Sequence, residues 1–202
     1  MKRFFLLLTA SLTFVCSYAQ EEFNEELTLQ PKIGLNVSNI SCGNNDPRIA
    51  LNGGLELEYK RFKTVSFSCA LMYSMQGDRY TVYDDSFGKI RVTEKTDYIT
   101  FPVLINFYVI KGLAIKTGFQ PAINVLARLK AEAGGIEEEA SFQDLLGFTI
   151  NTFDISIPFG ISYDFGGVII EGRYNLGLTD MINYADVKNR VFQLTLGYKF
   201  KL

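Results

Sequence analysis

Three features predict an all-β chain, folded as an eight-stranded antiparallel up-and-down transmembrane β-barrel with short periplasmic turns and long external loops. Eight segments alternate apolar with polar residues, their connections are long and short in turn, and an apolar run follows two basic residues at the N-terminus. The alternation is plainest at the C-terminus, where Phe192, Leu194, Leu196, Tyr198, Phe200 and Leu202 interleave with Gln193, Thr195, Gly197, Lys199 and Lys201. Successive side chains of a strand point to opposite faces, so this segment has one apolar face and one polar face.

Lys2 and Arg3 precede the apolar run from Phe4 to Val15, and Ser17-Tyr18-Ala19 offers a small-x-small cleavage site. Residues 1–19 are therefore expected to be a signal peptide, residues 20–30 a short lead-in carrying Glu21, Glu22, Glu25 and Glu26, and residues 31–202 the barrel domain. Cys16 brings a lipoprotein signal into view, but Thr13, Phe14 and Val15 lack the Leu-small-small pattern that its peptidase needs. The run is too short for a membrane helix, and no later stretch reaches the roughly eighteen unbroken apolar residues one requires. Insertion must be by strands.

The first strand, residues 31–40, sets Ile33, Leu35 and Val37 on one face. The second, 49–60, sets Leu51, Leu55, Leu57 and Tyr59 against Asn52, Glu56 and Glu58, and the third, 64–77, sets Val65, Phe67, Cys69, Leu71, Tyr73 and Met75 against small polar residues. The fourth, 97–109, carries Ile99, Phe101, Val103, Ile105 and Phe107, and the fifth, 113–126, sets Ile115, Phe119, Ile123 and Val125 against Lys116, Gln120 and Asn124. The sixth, 152–164, opposes Ile155, Ile157, Phe159, Ile161 and Tyr163 to Asp154, Ser156 and Ser162. In the seventh, 167–178, Val168, Ile170, Tyr174 and Leu176 oppose Glu171, Arg173 and Asn175, and the terminal strand is the eighth. Connections at 41–48, 78–96, 127–151 and 179–190 are long, whereas those at 61–63, 110–112 and 165–166 are short, which puts both termini and the short turns on the periplasmic side. There Tyr59, Phe62, Phe107, Tyr108, Tyr163, Phe165, Tyr198 and Phe200 are expected to form an aromatic girdle. Pro102, Pro121 and Pro158 fall inside strands and call for bulges. Within 127–151, residues 137–147 have the composition of a short loop helix.

The chemistry is defined largely by what is missing. With no histidine in 202 residues, Ser-His-Asp triads, Cys-His pairs and the usual zinc sites are closed, and no enzyme activity, cofactor or metal site is expected. A balance of 20 basic against 22 acidic residues gives no reason to expect nucleic acid as a partner. The acidic stretch Glu132, Glu137, Glu138, Glu139 and Asp144 matches no calcium-loop spacing, and Cys42 and Cys69 fall too far apart along the barrel for a disulfide. The polar strand faces instead place Glu56, Glu58, Lys116, Asp154, Glu171, Arg173 and Lys199 in the lumen as a charge network. An eight-stranded lumen is just wide enough for side chains to fill it, so these charges of both signs are expected to pair as a plug.

Pro31-Lys32-Ile33-Gly34-Leu35-Asn36, Tyr98-Ile99-Thr100-Phe101-Pro102-Val103-Leu104, Gly118-Phe119-Gln120-Pro121, Glu171-Gly172-Arg173-Tyr174-Asn175-Leu176-Gly177-Leu178 and Leu196-Gly197-Tyr198-Lys199-Phe200 together resemble the PorT-like outer-membrane β-barrel family over nearly the whole mature chain. The resemblance implies the barrel and its location. Most such proteins are uncharacterised and a minority serve secretion or gliding machinery, and no catalytic residues are carried over. The expectation is a monomeric, non-enzymatic protein of a Gram-negative outer membrane, its partners being outer-membrane lipid and a protein met through the external loops. Two rivals are a soluble lipocalin-like barrel holding an apolar ligand and a small pore. A lipocalin would turn its bulky apolar face inward.

Overall fold

The computed structural model describes residues 25–40, 46–84, 88–133, 136–141, 151–180 and 188–202. The expected signal peptide and Cys42 lie outside the described residues.

Within them the chain runs β1 (Glu26–Ile40), β2 (Asp46–Lys60), β3 (Val65–Asp84), β4 (Gly88–Thr100), β5 (Val103–Ile110), β6 (Leu113–Ala133), β7 (Ile136–Ser141), β8 (Phe153–Asp164), β9 (Val168–Gly177), β10 (Asn189–Tyr198) and β11 (Phe200–Lys201). All pairings are antiparallel, and the sheet closes because β1 pairs with β2 on one edge and with β10 and β11 on the other. Since β4 with β5 and β10 with β11 each form one stave, and β7 lies outside the ring, the barrel has eight staves. The start of β1, the C-terminus and the turns at 61–64, 111–112 and 165–167 lie at one end. Gly166 and Gly167 both adopt positive φ, 78° and 111°, in the last of these turns, a conformation side chains resist.

Every stave turns most of its large apolar residues outward, while Met72, Leu104, Ile169 and Val191 are buried. Leu55 is 51% exposed while its neighbour Glu56 is 1% exposed, and the same contrast separates Leu194 from Thr195 and Phe119 from Gln120. An apolar exterior around a polar lumen suits lipid and is the inverse of a lipocalin, so the soluble ligand-binding rival is corrected by the direction of the pleat. Phe107, Tyr163, Phe165, Tyr198 and Phe200 face outward at the terminal end, with ring centroids 4.4 Å apart for Tyr163–Phe165 and 4.7 Å for Tyr198–Phe200. Tyr108 does not join this girdle. It follows outward-facing Phe107 on the strand and therefore points inward, where its hydroxyl donates to Glu58.

The strands outrun their expected ends. Residues 78–84 and 88–96 pair as a β3–β4 hairpin as far as Asp84↔Gly88, and β6 with β7 makes a second pair. Residues 136–141, of which 137–141 were expected to be helix, are thus strand held by backbone pairing to residues 128–133, while residues 142–147 of that expected helix lie outside the described residues. Beyond the reach of β2 and β8, the order β3-β4-β6-β7 continues as a sheet projecting from the barrel. Its inner face packs Val92 and Ala127 on Leu129.

The three prolines do not each raise a bulge. The chain breaks between β4 and β5 at Phe101 and Pro102, where Phe101 N–H donates to the Pro121 carbonyl at 2.8 Å and Ala70 N–H to the Pro102 carbonyl at 2.9 Å. On the other edge of β6 the ladder to β8 skips from Thr117↔Phe159 to Gln120↔Ser156, passing the rung at which Pro158 has no N–H to give. Register shifts fall elsewhere, at Pro47/Asn52, Asp97/Tyr98 and Tyr108/Ile110.

Candidate functional site in the barrel lumen

Inward positions of four staves meet at mid-barrel. Lys32 of β1 lies 2.6 Å from Glu56 of β2 and 2.8 Å from Glu171 of β9, and Lys116 of β6 makes the same two contacts at 2.6 and 2.8 Å. Arg173, two residues along β9, donates through Nη2 to Glu171 and stands 3.5 Å from Glu56. Every one of these side chains is at most 7% exposed, so three cations and two carboxylates are tied together away from water. In such surroundings charges are tolerated only in close, hydrogen-bonded contact with their opposites.

Glycines make the room. Gly197 faces Lys32 across the β1–β10 ladder, and a Cβ there would stand 2.8 Å from Lys32 Cγ. Gly160 lies opposite Arg173 and also opposite Lys116, so a single small residue accommodates two long cations.

Towards the terminal end a second group forms around Glu58. It accepts from Gln30 Nε2 at 2.6 Å and from the hydroxyls of Ser66 and Tyr108, and it lies 3.2 Å from Lys199, which also reaches Asp164 at 3.4 Å. Below it, a recess of about 660 Å³ opens at the terminal end between Lys60, Tyr108, Lys111 and Lys199. Lys60 Nζ sits 3.7 Å from the centroid of the Tyr108 ring. Towards the hairpin end the lumen is filled by amides and hydroxyls: Asn36 donates to Ser74 at 2.9 Å, Asn52 to Asn36 at 2.7 Å and Gln193 to Asn36 at 2.9 Å. Asp154 belongs to this level and accepts from the Thr179 hydroxyl.

The seven charges singled out in the sequence thus fall into three places. Glu56, Lys116, Glu171 and Arg173 come together at mid-barrel, Glu58 and Lys199 meet nearer the termini, and Asp154 stands apart from both. Lys32, not among those seven, touches both central carboxylates; its inward parity was available from Ile33 and Leu35 on the outward face. Cys69 is an exposed free thiol on the outer surface.

A ring of eight staves, apolar outside and charged within, defines an integral outer-membrane barrel. The sequence profile described as outer membrane protein beta-barrel domain matches residues 18–183, and the chain belongs to that family. Its place is the outer membrane of a Gram-negative envelope. No curated protein matches the chain. Among solved structures it is similar to the attachment invasion locus protein Ail of Yersinia pestis, at 12% identity over 88% of this chain and 100% of that one with a TM-score of 0.48. It is similar also to the neisserial surface protein A, at 16% identity over 89% and 100% with a TM-score of 0.42. A third is the outer membrane protein OprG from Pseudomonas aeruginosa, at 12% identity over 90% and 98% with a TM-score of 0.43.

Proposed function

We propose that the protein is a non-enzymatic outer-membrane barrel whose lumen is closed by its own side chains and whose interactions are made by the projecting hairpins. One observation carries the reading: the central ion group spans the lumen from β1 and β2 to β6 and β9, with Lys32, Glu56, Lys116 and Glu171 all at most 4% exposed. An eight-stranded ring leaves no path around such a group. The absence of histidine from the sequence supports a role without hydrolysis, and function on a rigid scaffold usually sits in its connections. The PorT-like motifs add to this a part in assembling envelope machinery, reached after export on a signal peptide cleaved behind Ala19; N-terminal sequencing of the membrane-inserted protein tests the cleavage.

Planar-bilayer recording of the purified barrel tests the closed lumen. No stable conductance is expected. Discrete single-channel steps that change when Lys116 or Arg173 is replaced would make the protein a small pore, and the closed-lumen reading would be abandoned.

A further inference from the structure

The inner face of the β3–β4 hairpin gathers oxygen atoms where the two strands leave the barrel. Asp78 and Glu94 are directly opposed across the ladder and both point inward, Asp78 fully buried and Glu94 half-buried. The next inward rung towards the membrane pairs Gln76 with Thr96, which are 4% and 0% exposed. Gln76 Nε2 donates to Ser74 Oγ at 3.0 Å, while Gln76 Oε1 is buried and accepts no hydrogen bond among the described residues. Thr96 Oγ1 is buried in the same way, near the Tyr98 hydroxyl but without a hydrogen bond to it. Buried oxygens are seldom left like this, and two of them on adjoining strands beside a carboxylate pair call for a common partner.

Neighbouring side chains among the described residues point elsewhere or carry no donor. On β6, Ala127 and Leu129 stand opposite Thr96 and Glu94. Arg48 of β2 donates to the main-chain carbonyl of Gln76, and Lys95, on the outward face, pairs with Glu139 at 3.1 Å. Asp78 has a further interaction, and a carboxylate with about four lone-pair sites can keep it while binding an ion. Burial, and then the neighbouring Asp78, push the Glu94 carboxyl up to about 7, as two like charges held close require. A water molecule would bring donors but no charge. A divalent cation answers both the orphaned oxygens and the repulsion between the carboxylates.

The ligand set selects the cation. The chain has no histidine, Cys69 lies on the outer surface, and among the described residues no three of Cys, Asp and Glu gather at one place. Every available ligand is a hard oxygen, which suits calcium and not the transition metals. Cβ atoms opposed across a rung are about 5 Å apart and same-face neighbours along a strand about 6.8 Å, so the centre of these four positions is roughly 4 Å from each Cβ. Asp, Glu and Gln oxygens span that gap. Two bidentate carboxylates, one amide and one hydroxyl provide about six oxygens, within the six to eight that calcium takes in irregular geometry.

We propose that Asp78, Glu94, Gln76 and Thr96 form a calcium site that clamps β3 to β4 at the base of the projecting hairpin. The site is separate from the central ion group and independent of whether the lumen conducts.

The test uses the barrel purified in neutral detergent, stripped with EDTA and titrated with calcium chloride, and separately with magnesium chloride, by calorimetry at pH 8. One saturable calcium per barrel is expected, with a Kd of about 0.1–1 mM and magnesium at least tenfold weaker. Asp78→Asn and Glu94→Gln should each lose at least tenfold in affinity, and Glu25→Gln at the terminal end should lose none. Thr96→Val, which removes an oxygen that makes no hydrogen bond, should unfold in urea like the unaltered protein in EDTA yet bind calcium severalfold more weakly, a split that a purely structural role would not give. Should Asp78→Asn fail to form a ring, Glu94→Gln and Thr96→Val decide. No saturable binding up to about 10 mM calcium, or unchanged binding by Glu94→Gln, overturns the proposal. Magnesium bound as tightly as calcium overturns the calcium assignment.

Discussion

Glu171 is the residue on which the lumen charges turn, because Lys32, Lys116 and Arg173 all contact its carboxylate. The central group already holds one positive charge in excess (3 − 2 = 1), so the two signs are not equally expendable. Glu171→Gln raises the excess to two (3 − 1 = 2), whereas Arg173→Met brings it to zero (2 − 2 = 0). We expect Glu171→Gln to cost about 3–5 kcal/mol and Arg173→Met clearly less, read from urea unfolding in detergent followed by circular dichroism. Adding Lys32→Met to Glu171→Gln should return part of the loss, since it removes one of the stranded cations. Equal losses from the two single changes would show that charge balance does not govern this group. Gly197→Ala belongs to the same account: its methyl would press on Lys32 Cγ and on the Pro31 carbonyl, at 2.8 and 3.0 Å, and a loss of about 1–3 kcal/mol is expected in the same assay. At this scale the sequence discloses which face each charge occupies, since parity along a strand is fixed. It does not disclose the height at which staves meet, so it could not separate Glu56 with Glu171 from Glu58 with Lys199, nor Asp154 from either.

The hairpin β3–β4 shows where pattern stops informing. Below Gly77 the strand has a wet side and a lipid side, so apolar and polar residues alternate. Above it both sides meet water, and Asp78-Arg79-Tyr80-Thr81 has the composition of a loop while pairing as a strand to Glu94, Thr93, Val92 and Arg91. The same reasoning accounts for residues 136–141, whose Glu-rich composition carries no period although the backbone is laddered to β6. The hairpin also holds a titration. Burial, and then the neighbouring Asp78 carboxylate, push Glu94 up to about 7 from an ordinary 4.5. A carboxyl whose folded value is raised favours the folded form while protonated. Its contribution is therefore full below about 4.5 and is lost as pH rises through about 7. Hydrogen exchange should show the amides of residues 78–84 and 88–94 better protected at pH 5 than at pH 8, and Glu94→Gln should flatten that difference. Protection that grows with pH in the unaltered protein would contradict the assignment.

For the whole molecule, the decisive contact is the seam where the first stave meets the last. It runs from Lys32↔Gly197 to Ile40↔Asn189, and β11 prolongs it through Leu29↔Phe200 to Thr28↔Lys201. Closure leaves no unpaired edge in the bilayer, which is why a barrel of this kind should resist detergent until heated and migrate faster unboiled than boiled. Alternation can suggest eight staves, but it is blind to which staves pair; the seam follows only if the ring closes. Leu35 and Leu194 are opposite one another on it, both outward and about half exposed. Directly opposed residues of an antiparallel pair have Cα atoms about 4.5–5.5 Å apart, within the span of a disulfide. In a background with Cys42 and Cys69 replaced by Ser, Leu35→Cys with Leu194→Cys should oxidise readily. The boiled, oxidised protein should then migrate as a compact loop that reductant releases. Leu35→Cys with Phe200→Cys, six residues out of register on the same face, should stay reduced under the same treatment. Cross-linking of both pairs alike, or of neither, would mean that β1 and β10 do not meet in this register and that the ring is not closed as described.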